Sequence, residues 1–202
     1  MTSGRKKTKR KRTDYSKAKT WLSEKQWRRL SRQHMHLQNA LILYLLYGCA
    51  LRVSELLGIR LRDVDFAKNM VTVRWLKHKG PERTRKVPVP KAAMELLVKL
   101  ARDVYPKPKP DHFVLTNTPR PMYRSVVNNR ILSLARKAKL PMRVTPHTLR
   151  RSRATHLYDR GLELAKVSQL LGHAKLETTR VYLNLAPDKL AADLKKVDPL
   201  EA

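Results

Sequence analysis

The spacing of apolar residues changes several times along the chain, and each change marks an element. Ser23 and Gln26 stand three apart in the Ser-x-x-Gln form of a capping box, which predicts a helix running to about Gln33. Residues 36–49 carry apolar side chains on nearly every face, Leu41, Ile42, Leu43, Leu45 and Leu46 among them, so this helix is expected to be central and buried. Gly48 and the Leu51-Arg52 pair lead into a short amphipathic helix over 53–57. From Asp63 the period shortens. Residues 70–76 and 85–89 read as two strands joined by the polar turn 77–84, a hairpin with a basic tip. Helical spacing returns over 91–104 and is stopped by the Pro-Lys repeats of 106–110, after which 113–115 read as a short extended piece. Beyond Pro121 the spacing predicts helices over 123–139, 148–159, 163–171, 176–183 and 187–196. The expected fold is mainly α with a small antiparallel β-sheet, an α+β domain.

Residues 1–20 do not fit this pattern. They hold nine Lys or Arg, one acid and almost no large apolar side chain, so they cannot bury enough surface to offset their ordering entropy. The expected organisation is a disordered basic arm over 1–20, a folded catalytic domain over 21–185, and a C-terminal helix and tail over 186–202. The basic character extends through the whole chain: 45 Lys and Arg against 16 Asp and Glu give a formal charge of +29, which points to a partner carrying a dense row of phosphates. Double-stranded DNA is the first candidate. No apolar run approaches the roughly 20 residues of a membrane span, and no signal-peptide segment follows the charged start, so the reading is a cytoplasmic, nucleoid-associated protein without a membrane partner. The single cysteine, Cys49, lies in an apolar stretch and reads as core filling.

Three segments carry chemistry: Ala50-Leu51-Arg52-Val53-Ser54-Glu55-Leu56, His147-Thr148-Leu149-Arg150-Arg151-Ser152-Arg153-Ala154-Thr155-His156, and residues 170–182, which contain Gly172-His173 and end on Tyr182. In order and separation they resemble the boxes of the tyrosine recombinase or phage integrase family, over roughly residues 23–190. The resemblance implies the tyrosine recombinase catalytic-domain fold. It also implies a site-specific recombinase that cleaves and rejoins DNA through a 3′-phosphotyrosyl intermediate, with no metal, ATP or other cofactor.

The residue types suit that chemistry. Attack on a phosphodiester builds extra negative charge on the non-bridging oxygens, and fixed cationic donors aimed there lower the barrier. A guanidinium is always charged and grips two oxygens at once. By resemblance Arg52 and Arg150 fill this role. Tyr182 is the nucleophile the resemblance implies; a phenol with a pKa of ~10 needs a base or a strongly positive pocket. His147 and His173 match the family's two imidazole positions, with His147 as proton acceptor from Tyr182 and His173 as donor to the phosphate. In the family that the chain resembles, the departing 5′-oxygen takes its proton from a lysine on a hairpin tip. Lys79 best matches that position, with Lys77 two residues away as the alternative. Glu55 is expected to hold a cationic side chain in place, and His34, His36, His112 and His156 to cap or bridge elements. Arg151 stands where the family often has a third histidine or a lysine-like group, a departure expected to keep the helix and alter its local hydrogen bonding.

The family also implies a homo-oligomer on DNA, a tetrameric synapse, with the C-terminal helix passing to a neighbouring protomer. Members usually carry a further helical domain before the catalytic one. Only the basic segment and one helix precede the core here, which implies a short member or a fragment. Three rivals stand beside this reading. A metal-dependent nuclease would use Asp63 and Asp65, which are better explained as a turn and the start of a strand. A type IB topoisomerase would share the phosphotyrosyl chemistry. A non-catalytic DNA-binding module would show decay at one of Arg52, His147, Arg150, His173 or Tyr182, and all five are present.

Overall fold

The computed structural model describes residues 21–33, 35–74 and 84–173, and everything below concerns these. Helix α1, Glu24–Ser31, starts at the predicted capping box, with the Ser23 hydroxyl accepting from the Gln26 backbone and the Gln26 side chain accepting from the Ser23 N–H. Helix α2, Leu37–Gly48, buries Leu41, Ile42, Leu43, Leu45 and Leu46 almost completely. Its apolar girth lets it pack against α1, α3, α4, α5 and α6 at once, so it is the axis of the domain. Helix α3, Val53–Leu57, follows after a tight turn at Cys49 and Ala50. Cys49 is buried in the core, and burial pushes its thiol up to about 12.

The sheet has one strand more than the periodicity suggests. A 3₁₀ turn at Leu61–Asp63 feeds β1, Val64–Asp65, which pairs antiparallel with β2, Met70–Arg74, and β2 pairs antiparallel with β3, Thr84–Pro88. A two-residue strand is too short to show alternation, so the apolar pattern does not set it apart as a strand of its own, although the turn and strand start expected at Asp63 and Asp65 are found there. Val71 faces Val64 on one side and Val87 on the other, and this row closes the core beneath the sheet. The expected extended piece over 113–115 is a single bridge residue, Phe113 opposite Arg60. There Asn117, at φ +51, turns the chain back so that its N–H and that of Thr116 both reach the Phe113 carbonyl.

Helix α4, Lys91–Lys99, widens into a π turn over Leu100–Val104. Helix α5, Arg124–Lys137, precedes α6, Pro146–Asp159, which opens two residues earlier than the apolar pattern suggests. The reason is local: Thr145 caps the Thr148 backbone while Thr148 caps Thr145 in return, and Pro146 occupies the first helical position, where its missing N–H is harmless. Helix α7, Leu164–Leu171, completes the described chain. The helices expected over 176–183 and 187–196, the turn 77–83 and the arm 1–20 lie outside the described residues.

One buried relay ties the start of the fold to α2 and α6. His156 receives the Tyr47 hydroxyl at Nδ1 (2.7 Å) and donates from Nε2 to the Leu22 carbonyl (2.8 Å), while the Leu22 N–H donates to the Ser152 hydroxyl (2.8 Å). A carbonyl only accepts, so Nε2 carries a proton, and in the neutral ring that burial favours, Nδ1 accepts from Tyr47. Trp27 stacks on Tyr47 with ring centroids 3.5 Å apart. Burial is the main reason the His156 pKa is lowered, Arg153 adds to the depression, and the Leu22 carbonyl, Glu24 and Asp159 oppose it. Because the fold favours the neutral ring, its contribution is complete above the unfolded value near 6.5 and is lost as the pH falls through the lower folded value. Urea titrations at pH 7.5 and pH 5.5 should therefore show lower stability at the acidic pH. His156→Leu should reduce that difference and cost roughly 1–3 kcal/mol at pH 7.5, because the Tyr47 hydroxyl and the Leu22 carbonyl lose their shared partner.

Candidate active site

Arg52 occupies the N-cap position of α3, and Glu55, three residues on, turns back to accept its backbone N–H at 2.7 Å. The same carboxylate holds the Arg52 guanidinium at 2.8 Å. It also receives Arg85 of β3 in a two-pronged contact of 2.8 and 3.1 Å and lies 3.7 Å from Arg150 of α6. Three guanidinium groups thus surround one carboxylate whose side chain is only 3% exposed. Burial acts to raise the Glu55 pKa, but Arg85, the Arg52 backbone and Arg150 outweigh it and hold the group below the usual carboxylate range. The expectation that Glu55 holds a cationic side chain agrees with this geometry, which gives it more than one to hold.

Arg150 is fixed by the backbone. Its Nη1 donates to the Ala50 carbonyl at 2.6 Å, and its Nη2 donates to the Leu171 carbonyl at 2.5 Å and to His173 Nε2 at 3.1 Å. Ala50 presents its carbonyl from the left-handed region at φ +50, a conformation that costs a residue with a side chain roughly 1–2 kcal/mol. Arg150 is almost wholly enclosed, whereas Arg52 keeps 42% of its side chain exposed, so the two arginines are not equivalent. Arg52 is the one that presents itself to solvent.

His173 is placed by the end of α7. Gly172 adopts φ +62, its N–H returns to Gln169 and the His173 N–H returns to Ser168, the paired bonds of a Schellman turn. An arginine can only donate, so His173 Nε2 carries the lone pair and the ring proton sits on Nδ1. Burial and then Arg150, Arg52 and Arg85 push the His173 pKa down to about 4, against a weaker opposing pull from Glu55. His147 lies in the first turn of α6, one turn before Arg150, where the helix dipole disfavours added positive charge. Its pKa is lowered by partial burial and by Arg150, Arg151 and Arg52. Both imidazoles are therefore neutral at pH 7.

The fold brings Arg52, His147, Arg150 and His173 into one electropositive site; Lys79 and Tyr182 lie outside the described residues. The sequence pattern marks Arg85 only as part of a strand. Its further signal is parity: it shares the inward face with buried Val87, where a charged side chain needs a partner. Asp63 is engaged elsewhere, accepting both prongs of Arg74 at 2.7 Å and the Arg60 N–H at 2.9 Å, while Asp65 accepts the Lys68 N–H in the turn after β1. Among the described residues no group of three or more His, Cys, Asp or Glu is placed to hold a metal ion, and no helix is long and apolar enough to cross a membrane.

Residues 20–189 match the sequence profile of the phage integrase family, and the chain belongs to that family. It is 33% identical over 168 residues to the tyrosine recombinase XerA of Pyrococcus horikoshii, a match covering 82% of this chain and 57% of that protein. The crystal structure of a XerA recombinase superposes with a TM-score of 0.75 at 27% identity, covering 89% of this chain and 64% of that one. The XerH site-specific recombinase, in a post-cleavage complex with its palindromic difH substrate, shares the fold, with a TM-score of 0.68 at 21% identity over 87% of this chain and 52% of that one. The chain spans about half the length of the relatives it matches.

The site geometry makes Glu55 a stability element as well as a positioning one. Replacing it with alanine leaves Arg52, Arg85 and Arg150 to repel one another in a partly enclosed pocket. Chemical denaturation of Glu55→Ala should show a loss of about 3–5 kcal/mol, the scale of a buried ion pair stripped of one partner.

Proposed function

We propose that this chain is the catalytic part of a site-specific recombinase that cuts and rejoins double-stranded DNA through Tyr182. The observation that carries the reading is the gathering of Arg52, Arg150 and His173 about Glu55, with His147 beside the two arginines, in a member of the phage integrase family. In the reaction the Tyr182 oxygen attacks the scissile phosphorus and the bond to the 5′-oxygen breaks. A 3′-phosphotyrosine and a 5′-hydroxyl remain. His147, neutral at pH 7, accepts the phenol proton, and Lys79 supplies one to the departing oxygen, with Lys77 as the alternative donor. The two steps exchange one phosphodiester for another, so neither ATP nor a metal is required. Attack by a 5′-hydroxyl from a second duplex reverses the chemistry and completes exchange.

The arrangement around the phosphate follows from the hydrogen bonds. Arg52, exposed and held by Glu55, meets the non-bridging oxygens first, and Arg150 contributes charge from beneath while fixing His173. With Nε2 of His173 accepting from Arg150, the proton that His173 offers the phosphate is the one on Nδ1. The basic segment 1–20 adds phosphate contacts along the duplex, and the working assembly is a homo-oligomer on DNA, a tetrameric synapse at the nucleoid. The C-terminal residues Leu190, Ala191, Leu194 and Val197 recur at helical spacing and suit docking on a neighbouring protomer.

A pool of nicked duplexes with a randomised centre tests this whatever the target sequence is. Incubation followed by denaturing electrophoresis should yield a covalent protein–DNA adduct that is insensitive to EDTA and absent from Tyr182→Phe. Arg52→Ala should slow its formation by roughly a hundredfold or more, the effect of losing one transition-state donor. The rate should hold steady from pH 8 to about 6.5 and fall below that, as His147 protonates with a pKa lowered from the ordinary value of 6.5. An adduct that persists in Tyr182→Phe, or strict dependence on Mg²⁺, refutes the mechanism. Adducts without exchange between duplexes indicate a topoisomerase.

A further inference from the structure

Arg85 stands between two parts of the site, the Glu55 carboxylate and the turn at Gly172. On one side it grips both oxygens of Glu55, the same two oxygens that hold the backbone and guanidinium of Arg52. The carboxylate therefore cannot turn towards one arginine without leaving the other. On the other side the Arg85 guanidinium lies against Gly172. A Cβ built on Gly172 would sit 2.9 Å from Arg85 Cζ and Nη1 and 3.0 Å from Nε, closer than atoms pack without displacement. Gly172 in turn sets the Schellman turn that places His173.

A role in stability alone does not account for this residue. Its side chain is 15% exposed, and among the described residues its buried Nε–H has no hydrogen-bond partner. Desolvating a guanidinium and leaving a donor unsatisfied both oppose folding, and an apolar side chain beside Val87 would avoid both. The arrangement is instead suited to geometry. A planar fork fixes the distance from β3 to α3 and, through its flat face, from β3 to the end of α7.

We propose that Arg85 is a positioning residue of the cleavage site, locking Glu55 and the Gly172–His173 turn into one arrangement so that Arg52 and His173 address the same phosphate. The inference rests on the cleavage reading for its purpose, though the lock itself can be tested without DNA. Among the described residues, the charged groups that face His173 include Arg150, Arg52, Arg85 and Glu55. Removing Arg85 takes away one positive neighbour and loosens another, so the imidazole becomes easier to protonate.

The experiment uses the full chain as Arg85→Ala, Arg85→Lys and Gly172→Ala, with histidine ring signals followed by NMR across pH and the His173 signal assigned from His173→Gln. In Arg85→Ala the His173 midpoint should rise by about one pH unit from its low starting value, a change of the size produced by losing a close charge. Arg85→Lys, which keeps the charge without the fork, should give a midpoint between those of Arg85→Ala and the parent. Adduct formation on the nicked pool should slow at least tenfold in Arg85→Ala, with partial recovery in Arg85→Lys and DNA affinity unchanged within a few fold. Gly172→Ala should slow it as well. A variant that melts earlier while its His173 midpoint stays at the parent value assigns Arg85 a structural role only and overturns the proposal. So does an Arg85→Lys protein equal to the parent in both readouts, which also decides the matter if Arg85→Ala does not fold. If the parent forms no adduct while the His173 midpoint moves as expected, the cleavage reading fails and the lock remains.

Discussion

Around Glu55 a single negative charge organises three guanidinium groups drawn from α3, β3 and α6. Such a cluster is unfavourable in two respects: Glu55, Arg150 and most of Arg85 leave water, and three like charges are held close together. Both penalties are reduced by the backbone, whose Ala50 and Leu171 carbonyls take two of the Arg150 donors. The residual excess of positive charge depresses the imidazole of His173 and favours any anion that enters beside Arg52. The feature that opposes folding is thus the one that prepares the site for a phosphate, and the apolar mass of α2 and its neighbours supplies the stability that lets it persist.

Backbone conformation does as much as side-chain charge. Ala50 at φ +50 aims a carbonyl at Arg150, and Gly172 at φ +62 turns the chain so that His173 meets the same arginine. Neither the Ala50 nor the Leu171 carbonyl alone would orient a group with five donors; brought together from distant parts of the sequence, the two fix it between them. Arg150 then serves as a strut, and Arg52, anchored among the described residues through Glu55 and a long contact to the Gly172 carbonyl, is the group left facing outwards.

Much of this was legible in the chain. The capping box at Ser23, the buried α2 and the paired strands on either side of residues 75–83 follow from local pattern, because one periodicity dominates each stretch. The site was legible through three motifs whose residue types match the chemistry, and the reading of His156 as a bridge between elements agrees with its bonds to Tyr47 and Leu22. What the apolar pattern did not set apart was non-local or short. β1 has only two residues, and the bend at Asn117 that dissolves the expected strand near Phe113 depends on a backbone conformation with no apolar signature. Arg85 was hidden by abundance: in a chain with 45 basic residues, one more arginine on a strand draws attention only when its parity with Val87 is compared with the residues across the core.

The bond from Arg150 to the Ala50 carbonyl joins residues 100 positions apart, and the Arg52 contact to Gly172 joins residues 120 apart. During synthesis the amino-terminal half of the site leaves the ribosome well before the half that completes it, and contacts of such long separation form late in folding. A truncated, stalled or partly folded chain therefore holds arginines that can adhere to DNA but no assembled pocket that can break it. On the cleavage reading proposed above, cutting would have to wait until the chain has finished folding.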